Sequence, residues 1–80
     1  MRKVLRFTAS WCMPCKALAA VLENAKLDVP IEVIDIDVYP ELAQEYGVRG
    51  VPTLVVVDEG IEVRRSSGLM NAQQIQELIA

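Results

Sequence analysis

Apolar residues recur along the chain at two spacings, and the switches between them predict seven elements. Val4-Leu5-Arg6-Phe7 is short and mainly apolar with small polar residues behind it, which predicts a strand ending near Thr8. Leu18, Val21, Leu22 and Ala25 then fall on one face of a helix. Pro14 suits the first turn of that helix, because its fixed φ is helical and its missing N–H costs nothing there, and the helix has to stop before Pro30. Ile31 to Asp37 sets Val33, Ile34 and Ile36 among acids, as in a strand with one covered face. Pro40 opens a short helix with Leu42 and Tyr46 one turn apart, and Gly47 supplies the left-handed residue that closes it. Thr53-Leu54-Val55-Val56-Val57 is β-branched and continuous, the pattern of a strand buried on both faces. Ile61-Glu62-Val63-Arg64 alternates like a half-exposed strand, joined to the previous one by a hairpin at Asp58-Glu59-Gly60. Asn71 and Gln74 form an amino-terminal capping pair for a last helix whose stripe is Ile75, Leu78 and Ile79.

The order is therefore βαβαββα, an α/β fold with a four-stranded mixed sheet flanked by three helices. The first two strands, joined through a helix, are expected to be parallel with a right-handed crossover, and the last two antiparallel. Residues 1–80 are expected to form a single domain, since the chain shows no linker, repeat or low-complexity segment. A chain of this length hides only roughly 60–65% of its unfolded surface, so its core must be efficiently filled. With 52% hydrophobic residues, it has the means.

Charge and hydropathy then exclude several classes. The net charge is −3, and no run of Lys or Arg offers the positive stripe that a phosphate backbone requires, so no nucleic-acid partner is expected. The longest unbroken apolar stretch, Leu54 to Val57, falls far short of the roughly 20 residues that span a bilayer, so no membrane association is expected. Arg6 interrupts any apolar signal-peptide core near the amino terminus, and a cytoplasmic location is the expectation.

The candidate chemistry lies in Cys12 and Cys15. A helix start gathers unpaired backbone amides and the positive end of the macrodipole, both of which favour thiolate over thiol, so Cys12 stands where its pKa falls below the ordinary value near 8.5. Cys15, one turn later on the same face, is placed to attack a mixed disulfide formed at Cys12. Zinc takes four ligands, whereas the chain has two cysteines and no histidine, so no metal site is expected. A structural disulfide closing so small a loop restrains the unfolded chain little, although spacing alone also leaves room for two inert buried thiols. A CxxC beside a βαβ pattern reads as a redox motif.

Trp11-Cys12-Met13-Pro14-Cys15-Lys16 resembles the thioredoxin active-site sequence WCGPCK, with Met13 in place of Gly. Tyr46-Gly47-Val48-Arg49-Gly50-Val51-Pro52-Thr53-Leu54 is similar to the thioredoxin segment that runs into its cis-proline strand, and Gly68 looks like the glycine beside the thioredoxin substrate groove. The resemblance covers nearly the whole chain but leaves out the family's first strand and helix, which makes this a minimal thioredoxin fold of glutaredoxin size. It implies a thiol–disulfide oxidoreductase that reduces protein disulfides through a mixed disulfide at Cys12 resolved by Cys15, the two forming the redox-active disulfide. It also implies a cis peptide bond before Pro52, with Pro52 packed against the cysteines, a substrate strand paired to the Val51 backbone, and Trp11 and Gly68 flanking that surface. No bound cofactor is implied. Electrons would come from NADPH through a thioredoxin-reductase-type flavoprotein, to a monomer acting on disulfide-containing proteins.

Two alternatives stand beside this. One is a non-catalytic binding module using the Val51-Pro52 groove. The other is a glutaredoxin-like, glutathione-dependent reductase, against which stands the lack of a Gly-Gly and nearby Asp in Ser66-Ser67-Gly68-Leu69-Met70-Asn71. The chain also departs from the thioredoxin pattern. Arg6 stands where the family's buried aspartate is expected, and Val33 where the lysine facing it is expected. If buried, Arg6 would need a carboxylate such as Asp35 or Asp37 and would push the cysteines toward thiolate; otherwise its head reaches solvent. Pro14 keeps to the active-site motif, whereas Met13 departs from it, and because residues inside the CxxC loop tune thiolate stability the redox potential cannot be copied from thioredoxin.

Overall fold

The computed structural model describes residues 1–80 and contains β1 (Arg2–Thr8), α1 (Met13–Ala25), β2 (Ile31–Asp35), α2 (Pro40–Glu45), β3 (Thr53–Asp58), β4 (Ile61–Ser67) and α3 (Ala72–Ile79). The strands form one mixed sheet in the order β2-β1-β3-β4, with β1 parallel to β2 and both β1·β3 and β3·β4 antiparallel. This is the predicted βαβαββα order.

β3 is buried from Thr53 to Val57 because it is a central strand covered on both sides. Alternation along the two central strands sorts their side chains into two cores. On one face Val4, Leu54 and Val56 meet Leu18 and Leu22 of α1, Met70, and Ile75 of α3. On the other, Leu5, Phe7, Val55 and Val57 meet Ile34 and Ala43, with Leu42 and Tyr46 packed alongside and the Phe7 and Tyr46 ring centroids 5.8 Å apart. Each fully buried Leu or Phe contributes about 1.5–3 kcal/mol, so the two cores together are what a chain of this length requires.

The punctuation follows the local chemistry. α1 ends on Lys26 in the left-handed region, ahead of Pro30. Gly47, at φ 64°, closes α2. Glu59 and Gly60, both at positive φ, make the two-residue turn whose twist suits a tight hairpin. The Asn71 side chain accepts from the Gln74 N–H while the Gln74 side chain accepts from the Asn71 N–H, a complete capping box.

Three boundaries differ from the sequence expectation. β1 begins at Arg2 rather than Val4, because Arg2 and Lys3 pair opposite Asp58 and Val57. β2 stops at Asp35 rather than Asp37: the Asp35 carbonyl accepts from the Val38 and Tyr39 N–H groups and its side chain from the Asp37 N–H, which turns the chain. β4 does not alternate. It runs to Ser67, is exposed almost throughout, and shifts register between Val56 and Val57 so that Val63 is the extra residue of a bulge, as befits an edge strand.

Candidate active site

Cys12 occupies the amino-terminal cap of α1 with extended backbone, and its Sγ accepts a hydrogen bond from the Cys15 N–H at 3.2 Å. Met13 and Pro14 are the first two helical residues, and Pro14 has no N–H to offer, so the Cys15 amide is the one turned on the sulfur. An amide aimed at Sγ from a helix start stabilises thiolate, which is what a nucleophilic cysteine needs. Cys12 and Cys15 are joined in a disulfide with a Cα–Cα separation of 5.2 Å. Both are buried, Cys15 the more deeply, whereas Trp11 and Met13 on either side of Cys12 are exposed. Cys12 is thus the rim cysteine and Cys15 the inner one.

The second half of the site comes from the entry to β3. The Val51–Pro52 peptide bond is cis. Val51 packs against the small cluster of Ala9, Cys12 and Cys15, and the adjoining Pro52 is buried. The Pro52 carbonyl accepts from the Gly68 N–H at 2.9 Å, and Gly68 stands at φ 90°, where a side chain would be strained. The Thr53 hydroxyl donates to the Gly50 carbonyl at 2.8 Å and meets the Ser67 hydroxyl at 3.1 Å, fixing this turn to the end of β4. The Val51 N–H and carbonyl, by contrast, have no partner within the chain. Val51 thus links the cysteines to the Pro52–Gly68 junction, and Trp11 stands exposed beside Cys12.

One contact of Trp11 was not foreseen. The Trp11 indole N–H donates to the Asp37 carboxylate at 2.8 Å, tying the residue before the nucleophile to the turn after β2. The acid-rich end of Ile31–Asp37 was the available signal, but nothing in the sequence joins it to Trp11. Asp37 is consequently not the partner of Arg6. The Arg6 guanidinium is half-buried, makes no ion pair or hydrogen bond within the chain, and has its pKa lowered by burial. It opens into a cleft of about 230 Å³ that Cys15, Lys16 and Asp35 also line. Val33, beside Arg6 across the β1·β2 pairing, is exposed and carries no charge for it to meet.

The chain is similar in sequence and fold to known proteins. The Thioredoxin family model matches residues 1–80. Thioredoxin of Chlamydia muridarum is 42% identical over 77 residues, covering 92% of this chain and 76% of that protein. Thioredoxin of Bacillus subtilis is 40% identical over 77 residues, covering 91% and 74%. Among solved structures, a mutant thioredoxin from Halobacterium salinarum superposes with a TM-score of 0.91 at 39% identity, covering 98% of this chain and 71% of that one. No helix of the chain is long and apolar enough to cross a membrane. The mixed four-stranded sheet, the paired cysteines at a helix start and these relatives together make this a thiol–disulfide oxidoreductase of disulfide-bonded proteins, and the chain belongs to the thioredoxin family.

Proposed function

We propose that the dithiol form of this single domain reduces protein disulfides in two steps. The Cys12 thiolate attacks a substrate disulfide, forming a Cys12–substrate bond and releasing the first substrate thiolate. Cys15, having lost its proton, then attacks Cys12 Sγ, the Cys12–substrate bond breaks, and the second substrate thiolate leaves as the Cys12–Cys15 disulfide forms. The substrate lies extended along Val51, with Trp11, Pro52 and Gly68 bounding its path, and the unpaired Val51 N–H and carbonyl receive its backbone. Electrons return from NADPH through a thioredoxin-reductase-type flavoprotein to a cytoplasmic monomer that holds no cofactor of its own.

The observation that carries this reading is the Cys15 N–H on Cys12 Sγ with Cys15 buried behind it, since it gives the two cysteines different tasks. Reduction of insulin disulfides by dithiothreitol is the test. Wild-type protein is expected to accelerate precipitation of the insulin B chain, Cys12→Ser to abolish the effect, and Cys15→Ser to accumulate a covalent adduct visible by mass spectrometry. Acceleration that survives Cys12→Ser would overturn the assignment. Replacing dithiothreitol by NADPH and thioredoxin reductase tests the electron route separately.

A further inference from the structure

The resolving step requires Cys15 to lose a proton, yet Cys15 is 1% exposed and no carboxylate stands behind it on β1, where Arg6 is found. The cleft beside it offers a different route. About 230 Å³ in volume, it has room for several waters and is bounded by β1, α1 and β2. Cys15 lines it from α1 and Asp35 from the end of β2, where Asp35 pairs in register with Thr8. Asp35 is the only carboxylate on its walls, and Arg6 from β1 and Lys16 from α1 are the only other charged side chains facing it. One oxygen of Asp35, Oδ1, accepts the Asp37 N–H at 2.9 Å, which holds the side chain while leaving Oδ2 without a protein partner.

The geometry points to Asp35 as the proton acceptor for Cys15, working through water in this cleft, with Arg6 as a positioning residue whose charge favours the emerging thiolate. The inference rests on the two-step dithiol reading above. In the mixed disulfide, the Cys15 thiol gives its proton through water to Asp35 Oδ2. Cys15 Sγ then attacks Cys12 Sγ, and the Cys12–substrate bond breaks. The departing substrate thiolate takes up a proton from solvent, and Asp35 releases its own to the cleft. No electron source beyond the reduced dithiol is consumed. Arg6, which has no ion-pair partner in the protein, then faces the thiolate that emerges across the cleft.

The test uses the reduced full chain with 5,5′-dithiobis(2-nitrobenzoate), followed at 412 nm by stopped flow. The first thionitrobenzoate released reports attack by Cys12; the second, a unimolecular phase, reports resolution by Cys15. Asp35→Asn keeps an oxygen for the Asp37 N–H and so preserves the turn. It is expected to slow the second phase at least about tenfold near neutral pH, below the 10²–10⁴-fold range of a directly placed general base, while changing the first phase less than about twofold. The second phase of Asp35→Asn is also expected to fall about tenfold per pH unit on the acid side, whereas that of the wild type stays level through the neutral range. Asp35→Glu should restore part of the rate, and Glu32→Gln, a carboxylate lost from the opposite face of β2, should change neither phase. A second phase in Asp35→Asn with wild-type rate and pH profile would overturn the inference. A wild-type protein that shows no second phase would instead overturn the dithiol reading on which it rests.

Discussion

Trp11 is the only tryptophan of the chain, and it is held at the edge of the site by a single side-chain bond, from its indole N–H to the Asp37 carboxylate at 2.8 Å. Replacing Asp37 by Ala removes the acceptor and little else, because the Asp37 backbone N–H keeps its own bond to Asp35. A hydrogen bond to a charged acceptor contributes about 1.5–3 kcal/mol when shielded, but the indole is 65% exposed, so about 1 kcal/mol is the appropriate figure here. At an RT of about 0.59 kcal/mol, that holds the ring in place roughly five-sixths of the time, and its loss leaves the docked and free orientations about equally populated.

Time-resolved fluorescence anisotropy of Trp11 reads this directly, since free side-chain rotation falls in the picosecond-to-nanosecond range while tumbling of the whole domain is slower. The sub-nanosecond amplitude is expected to rise severalfold in Asp37→Ala, with Asp37→Asn intermediate because it keeps an acceptor without the charge. Docking then selects a ring orientation populated about half the time instead of about five-sixths, so KM for a protein disulfide should rise by less than about twofold with kcat little changed. An unchanged fast amplitude in Asp37→Ala would refute the reasoning, because it would mean that packing and not the hydrogen bond holds the indole.

Other expectations concern the frame. Leu18→Ala, in a side chain with no exposed surface, should cost about 2–5 kcal/mol and lower the urea midpoint with an unchanged m-value. Arg64 donates through one nitrogen to the carbonyls of Glu77, Leu78 and Ala80 at the end of α3, so Arg64→Ala should cost about 1 kcal/mol, lower Tm by about 4–8 °C and speed amide exchange in the last turn of α3. The Arg65 hydrogen bonds hold the Glu62 carboxyl below its usual range. A depressed carboxylate pKa stabilises the fold above the unfolded value and loses that contribution as pH falls through the folded one, so the Tm gap between wild type and Arg65→Ala should shrink between about pH 6 and pH 3. It should not vanish, since Arg65 also donates to the Tyr46 carbonyl.

The elements that were legible in the sequence are those whose cause is local. Five successive β-branched or apolar residues mark β3, the spacing of Leu18 and Leu22 marks the buried face of α1, and Asn71 with Gln74 marks the start of α3. The cysteine pair was legible for the same reason, being set by two residues and a helix start. What escaped depends on groups that meet only after folding. The Trp11–Asp37 bond spans 26 positions, the carbonyls of α3 are held by Arg2 and Arg64 from two different strands, and the exposure of β4 follows from its place at the sheet edge. Arg6 shows the limit most clearly. A buried cation predicts a carboxylate within ion-pairing reach, yet half-buried Arg6 has none and lines an open cleft with Asp35 and Lys16.

The register of the two central strands explains why so short a chain assembles a site from segments about forty residues apart. Phe7 pairs with Thr53 at the end of the β1·β3 ladder, both are fully buried, and the strands run antiparallel. The segment leaving β1 therefore emerges beside the segment entering β3. Cys12 lies a few residues beyond Phe7, and Pro52 immediately precedes Thr53, so the approach of Val51 to Cys12 and Cys15 is inherited from the ladder. A one-residue slip would reverse every side chain of β3 between the two cores, exchanging Leu54 and Val56 for Val55 and Val57, and packing on both faces forbids it. The core thus fixes the position of Val51 relative to Cys12 and Cys15.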